Sequence, residues 1–317
     1  MAMSKYSKPK VAVALAVYNG TEWINEQLDS ILSQEGLEVT VFISIDPSSD
    51  GSEELCNQFA SQYKNIFILP NVGKFGGAAK NFFRLIRDID FLDFDYVAFS
   101  DQDDIWELDK LSRAVEVLTE NEADAYSSNV TAFWPEGKQK LIHKSQPQQL
   151  WDYMFESAGP GCTFVLKKNL ALKLQDFLIS NQNKCEDVAL HDWFIYAFAR
   201  SRKFKWVIDH EAHMLYRQHA SNVVGANVGV KAKLARWQKL REGWMVKQAQ
   251  LIANILGYDS LWAIQKLTRY HFFDRLALIK NIHKLRRRLR DRVALALFLL
   301  LPLKNGIFNH RCKRLRR

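Results

Sequence analysis

Residues 11–17 (VAVALAV) form an unbroken apolar run that stops at Tyr18-Asn19-Gly20, the pattern of a strand buried on both faces. Thr21 then reads as a helix N-cap, with Ile24, Leu28, Ile31 and Leu32 following at helical spacing. Residues 39–45 (VTVFISI) predict a second strand ending at Asp46, then turn chemistry over 46–52 and a helix over 53–63. Residues 66–69 predict a short third strand, and the glycine-rich stretch 71–77 leads into a helix over 78–89. Residues 96–99 predict a fourth strand, ending at Ser100-Asp101-Gln102-Asp103-Asp104. Strand and helix alternate, which implies a parallel sheet with helices on both faces and a ligand beyond the carboxyl ends of the strands. Past residue 118 the pattern loosens into strands over 125–132 and 163–166 and helices over 170–179 and 188–199. From about residue 231 nearly everything reads as helical, so 231–317 is expected to be a helical appendage.

Charge divides the chain at the same place. Residues 1–230 hold 22 Lys and Arg against 31 Asp and Glu, a net −9, whereas 280–317 hold 13 against 1, a net +12. A nucleic-acid enzyme carries its positive charge near its working cleft, and here it is segregated to the tail. A nucleic-acid binder using that tail is therefore the secondary reading from another class, and no nucleic-acid partner is expected. The tail flanks an apolar run, 293–303, with basic stretches at 280–292 and 311–317. A helix over that run spans roughly 16 Å against a hydrocarbon core of about 30 Å, so it reaches into a bilayer without crossing it. It reads either as an anchor on the inner face of the cell membrane or as a C-terminal core helix with solvated basic flanks. The polar residues 1–10 and the short apolar run after them do not read as a secretory signal. Cys56, Cys162, Cys185 and Cys312 share no CxxC spacing, which fits a reducing cytoplasm better than a disulfide scaffold.

The chemistry-bearing residues fall at the predicted strand ends. Asp101, Asp103 and Asp104 repel one another unless a cation sits among them, and residues two apart in an extended segment face the same way. They read as ligands for Mn²⁺ or Mg²⁺, or as an exposed acidic loop. Asp46 reads as a cap for the next helix or as an acceptor from a nucleobase. The stretch 71–77 places backbone N–H groups and Lys74 where phosphates bind, without the ending of a Walker loop. Asp192 opens an apolar helix and reads as an N-cap or a general base, with Glu186-Asp187 as the rival pair.

Taken together, the strand with Tyr18-Asn19-Gly20, the 46–52 turn, Asn71-x-Gly73, residues 99–106 (FSDQDDIW), His191-Asp192-Trp193 and Tyr216-Arg217-Gln218-His219 resemble family 2 glycosyltransferases, in particular their bacterial rhamnosyltransferase-like branch. The resemblance covers roughly residues 10–225. It implies a GT-A fold, with a Rossmann-like mixed α/β sheet over 1–230, of which about 10–120 binds the nucleotide sugar and about 120–230 the acceptor. It implies that Asp46 binds the nucleobase, that Tyr18, Asn19, Asn71, Gly73, Lys74 and Lys80 or Asn81 line the nucleotide pocket, and that Asp101 contacts the ribose or the metal. Asp103 becomes the principal metal ligand, His219 meets the metal or diphosphate, and Asp192 is the base. Where the family often has two acids in the second turn, this chain has Asp46-Pro47. The implied activity is an inverting, metal-dependent sugar transfer, with dTDP-L-rhamnose as the favoured donor and UDP-hexoses as the alternative. The implied acceptor is a lipid-linked oligosaccharide of a bacterial surface polysaccharide.

Overall fold

The computed structural model describes residues 7–219 and 243–301. The chain forms two compact units, residues 1–145 with 158–222, and residues 146–157 with 223–317. The boundary expected near residue 230 and the basic stretch 311–317 lie outside the described residues.

The first unit opens with β1 (Lys10–Val17), α1 (Ile24–Leu32), β2 (Glu38–Ile45), α2 (Ser52–Gln62), β3 (Ile66–Ile68), α3 (Ala78–Asp88) and β4 (Tyr96–Ser100). It continues with β5 (Ile105–Trp106), α4 (Lys110–Glu120), β6 (Ala125–Ser128), β7 (Val130–Phe133), β8 (Gln139–Ile142) and β9 (Val165–Lys167). Then come α5 (Lys168–Ser180), α6 (Gln182–Cys185), α7 (His191–Ser201), β10 (Trp206–Asp209) and β11 (Met214–Arg217). The main sheet has the order β10-β6-β9-β4-β1-β2-β3. Its neighbours pair parallel except at β9, which runs antiparallel to both β4 and β6. The sheet is therefore mixed, where strand–helix alternation alone implied an all-parallel one. The order turns back at β1, with β2 and β3 on one side and β4 on the other. A crevice opens at such a switch point, beyond the carboxyl ends.

β1 explains the layering. Val11, Val13, Leu15 and Val17 share one face and join a core with Ile24, Leu28 and Ile31 of α1, Cys56 of α2 and Leu111, Ala114 and Leu118 of α4. The small Ala12 and Ala14 take the other face, where α3 lies against β1 with Phe82 and Phe83 buried. Full burial of a Val, Leu or Phe stabilises by roughly 1.5–3 kcal/mol. This core therefore holds the sheet without help from the polar loops at its carboxyl edge, which are left to carry chemistry.

Several expectations are corrected. Thr21 is not the N-cap: α1 starts after Trp23, and Thr21 donates its N–H to Asp50 Oδ2 (3.0 Å) and its hydroxyl to Asp50 O (2.8 Å). The strand expected over 125–132 is two strands, β6 and β7, broken at Asn129. Its amide donates to His210 O (2.6 Å) and accepts from the Lys144 N–H (2.6 Å), and β7 joins a second sheet of order β5-β11-β7-β8. The strand expected over 163–166 begins as a 3₁₀ turn, Gly161–Thr163, before β9.

The second unit contains helices Trp244–Leu256, Trp262–Arg269, Phe272–Lys280 and Leu289–Leu300 and the 3₁₀ turns Asp152–Met154 and Ile282–Lys284. Arg287 is not part of a solvated basic flank. It is buried, donates its N–H to Glu156 Oε1 (2.7 Å), pairs its guanidinium with the same carboxylate (3.4 Å) and bonds Ser157 O. Trp151 stacks on Trp262 (5.3 Å). These contacts hold 146–157 to the C-terminal helices. Among the described residues no helix is long and apolar enough to cross a membrane.

Candidate active site

The registers Val17↔Ile45 and Leu15↔Ser100 bring the residues after β1, β2 and β4 to one edge of the sheet. Tyr18, exposed, has its backbone locked to the acidic loop: its N–H donates to Gln102 Oε1 (2.7 Å) and its carbonyl accepts from Gln102 Nε2 (2.8 Å). Gly20 permits this, because a Cβ there would meet Gln102 Oε1 at 2.4 Å. Asn19 ties the same loop to the 46–52 turn, donating its N–H to Ser48 Oγ (3.0 Å) and accepting from the Ser49 N–H (2.9 Å).

Asp46 is buried and does not cap α2. Its oxygens accept the backbone N–H groups of Phe75 and Gly76 (2.9 Å each) and so clamp the glycine-rich loop. Asn71 Oδ1 takes the Gly73 N–H (2.9 Å), and the positive φ of Gly73 (101°) and Gly76 (74°) bends the loop. Lys74 and Lys80 are exposed. Asn81 is not: its amide donates to Ser44 O (3.0 Å) inside the fold, so it fastens α3 to β2 in place of lining a pocket. The helix-capping acid of this turn is Asp50, bonded to the Ser52 N–H (3.1 Å) and Oγ (2.6 Å). Burial pushes its pKa up, but the hydrogen bonds from Ser52 and Thr21 outweigh it and bring the value down to about 2.

The acidic loop is closed from the other side by β11. Met214 and Leu215 pair with Trp106 and Ile105, which sets Tyr216 and Arg217 against Asp104 and Asp103. The Arg217 N–H donates to Asp104 Oδ1 (3.3 Å), and its guanidinium donates to Asp103 O (2.9 Å), meets Glu26 and lies over Phe133 (4.6 Å). His219 Nε2 meets Asp103 Oδ2 at 2.6 Å, with its ring stacked on Trp23 (4.1 Å). Asp101 is pushed up to about 7, first by burial, then by the charges of Asp103 and Asp192, which places Asp192 within electrostatic reach of the loop. Asp192 lies in the first turn of α7, where its Oδ1 accepts the Trp193 N–H (2.7 Å). The rival Glu186 and Asp187 are exposed on the turn before it.

Three further residues lie beneath the loop. The Cys162 thiol sits beside Asp101 and Asp104, and burial followed by those carboxylates keeps it protonated. Buried Lys110 has its Nζ 3.6 Å from the Trp106 ring centroid, and burial lowers its pKa to about 8. Burial first, then Cys162 and the three carboxylates, keep the Tyr216 phenol protonated. Asp101, Asp104 and Cys162 offer ligand atoms within 4.8 Å of one another, and Asp104 Oδ2 is buried without a hydrogen-bond partner. Concentrated negative charge with an orphaned carboxylate oxygen fits a hard divalent cation, whereas a protonated thiol is no ligand for one. A second group, Glu107, Asp109 and His213, lies at the loop between β5 and α4 and the start of β11. Both nitrogens of that His213 are engaged, by Asp109 (3.0 Å) and Glu211 (3.1 Å).

The start of α7 depends on a glycine. His191 is buried and neutral, its pKa lowered by burial to about 3, and it stacks on Phe82 (3.9 Å). A Cβ on Gly161 would meet His191 Nε2 at 2.3 Å. Gly161→Ala is expected to lower stability by about 1–3 kcal/mol, measured by chemical unfolding. An unchanged midpoint would contradict the close packing.

The Glycosyl transferase family 2 model matches residues 12–177. The chain is 46% identical over 288 residues, 90% of its length and 99% of the relative's, to the dTDP-rhamnosyl transferase RfbG of Shigella flexneri. A mannosyltransferase from Pyrobaculum calidifontis, solved with GDP-Man and Mn²⁺, superposes with TM-score 0.53 at 15% identity, over 93% of this chain and 86% of that one. Residues 1–349 of Staphylococcus aureus TarS, solved with UDP-GlcNAc, give 0.51 at 14% identity, over 90% and 83%. The structural likenesses establish the fold, and with the family match and the long relative they place this chain in glycosyl transferase family 2, as a glycosyltransferase of GT-A fold.

Proposed function

We propose that this enzyme transfers L-rhamnose from dTDP-L-rhamnose, with inversion at the anomeric carbon, to a lipid-linked oligosaccharide acceptor of a bacterial surface polysaccharide (O-antigen, capsule or cell wall), while attached peripherally to the inner face of the membrane. The observation that carries the donor assignment is the 46% identity, across 99% of its length, to a dTDP-rhamnosyl transferase. Asp101 and Asp103, with His219 beside them, would hold Mn²⁺ or Mg²⁺. When bound, such an ion supplies positive charge to a departing diphosphate. The clamped 71–77 loop presents Lys74, and the first turn of α3 presents Lys80, to the same phosphates, and Asp46 meets the base by exchanging one of its loop N–H bonds. Trp23 and Arg217 orient His219 and Asp103. Asp192 takes the proton of the attacking hydroxyl, and a single base with direct displacement inverts the sugar.

A panel of nucleotide sugars tested for thermal stabilisation with and without Mn²⁺ checks this reading. dTDP-L-rhamnose with Mn²⁺ is expected to raise stability by about 2.7 kcal/mol at a hundredfold excess over Kd. Stabilisation by a UDP-hexose alone would move the donor to that class. The pH dependence has a definite sign. The raised pKa of Asp101 means that this group stabilises the metal-free fold at low pH, and that the contribution is lost as pH rises from about 4 to about 7. Neutral His191 acts oppositely, costing stability as pH falls below 6.5, but metal does not alter it. The Mn²⁺-induced rise in Tm is therefore expected to be larger near pH 7.5 than near pH 5.5, and a larger rise at the lower pH would contradict the site.

A further inference from the structure

Peripheral attachment, as proposed above, requires a surface, and the C-terminal helices offer one. Helix Leu289–Leu300 exposes Leu289 (73%), Val293, Leu297 (58%) and Leu300 to solvent, while Leu295, Phe298 and Leu299 are buried. At about 100° per residue, the four exposed positions fall within roughly 80° of arc. This helix is apolar on its core side and apolar again on its outer side, where a water-facing helix carries polar residues. Helix Phe272–Lys280 is likewise apolar on its outer side, with Phe272, Phe273 (80%) and Leu276 exposed, while it buries Leu278 and the Asp274 carboxylate, paired with Lys266 (2.7 Å). Arg275 joins the two helices. Its Nη1 donates to the carbonyls of Leu299 (3.1 Å), Leu300 (3.3 Å) and Leu301 (3.3 Å), and its guanidinium lies 5.8 Å from the Phe272 ring centroid. The phenylalanine pair therefore sits beside the end of the second apolar stripe.

We infer that these two outer faces form one docking surface that lies in the plane of an anionic bilayer, with the apolar stripes in one leaflet and the basic residues at headgroup level; the inference rests on the peripheral attachment of the proposed function. Charge complementarity selects this occupant, since residues 280–317 carry 13 Lys and Arg against 1 acid, and Arg290 beside the stripe is exposed (77%), with the neighbouring Asp291 as its ion-pair partner (3.3 Å). Length sets the depth. Twelve residues cover about 18 Å, so the helix lies in the interface and does not traverse it.

The test is co-sedimentation of the full chain with phosphatidylcholine vesicles and with vesicles containing one quarter phosphatidylglycerol. It compares the wild type, the double variant Phe273→Glu/Leu297→Glu and a chain lacking 302–317. Stabilisation of each by dTDP-L-rhamnose with Mn²⁺, or an unchanged melting temperature, confirms folding. The wild type is expected to bind the anionic vesicles in a salt-sensitive manner, and the double variant to lose about tenfold or more of that partition. If the double variant binds as the wild type does while removal of 302–317 abolishes binding, this face is overturned and peripheral attachment stands. If the wild type ignores anionic vesicles, both fall. If the double variant changes only a dimer into a monomer by light scattering, the face is a contact between copies and the inference fails.

Discussion

Asp103→Asn is expected to lower kcat/KM by about 10³-fold or more and to abolish the Mn²⁺-dependent part of donor stabilisation. The amide keeps the volume of the carboxylate and can still bond His219, and the Asp103 carbonyl that accepts from Arg217 is untouched. The fold should therefore survive, and the loss reports the charge. A divalent ion contributes several kcal/mol of stabilisation to charge developing on a leaving diphosphate, and each 1.36 kcal/mol is about a factor of ten in rate. Steady-state transfer from a labelled donor, with circular dichroism as the folding control, measures the effect. A variant within tenfold of the wild type would remove Asp103 from the centre of the mechanism.

Asp192→Asn is expected to retain Mn²⁺-dependent donor binding and to lose transfer by about 10²–10⁴-fold, the usual worth of a positioned base. The charge of Asp192, after that of Asp103, helps raise the Asp101 pKa, and Asp192 stands on α7, fixed through α3 contacts and the His191–Phe82 stack. The Trp193 N–H donates to its Oδ1 at 2.7 Å, which orients the carboxylate. Because the amide cannot accept the proton of the attacking hydroxyl, KM for the donor should hold while kcat falls. An equal loss in Glu186→Gln or Asp187→Asn with full activity in Asp192→Asn would move the base to the exposed turn.

What was legible in the sequence depended on how much of each signal was local. β1, β2 and β4 declare themselves because strands buried on both faces leave long apolar runs, and the polar residues that follow β1 and the acids that follow β2 and β4 are fixed at the carboxyl edge by that geometry alone. β5, β10 and β11 are two to four residues long, and so short a segment holds too few side chains for periodicity to show. Asp46 was visible as an acid after a strand, but its partners lie 29 and 30 residues away. Asn81 looked like a pocket residue because it opens a helix after a glycine loop. Its position beside Phe82 turns it inward, where the Ser44 carbonyl needs a donor. Cys162 and Lys110 carried no motif: one follows Gly161 and the other begins an ordinary helix, and only the folding of Gly161–Thr163 and α4 beneath the acidic loop gives them a role. Arg217 could be found only through the Tyr216–His219 motif, since its partners Asp103, Asp104 and Glu26 are more than a hundred residues upstream.

In the proposed mechanism the loop after β4 would hold a divalent cation that supplies positive charge to the donor diphosphate. Anomalous scattering from a crystal soaked with Mn²⁺ and dTDP tests this most directly. The expected result is a single manganese peak about 2.1 Å from an Asp103 oxygen and in contact with a diphosphate oxygen. A crystal in which dTDP is bound but the peak is absent, or lies instead on Glu107, Asp109 and His213, would contradict it.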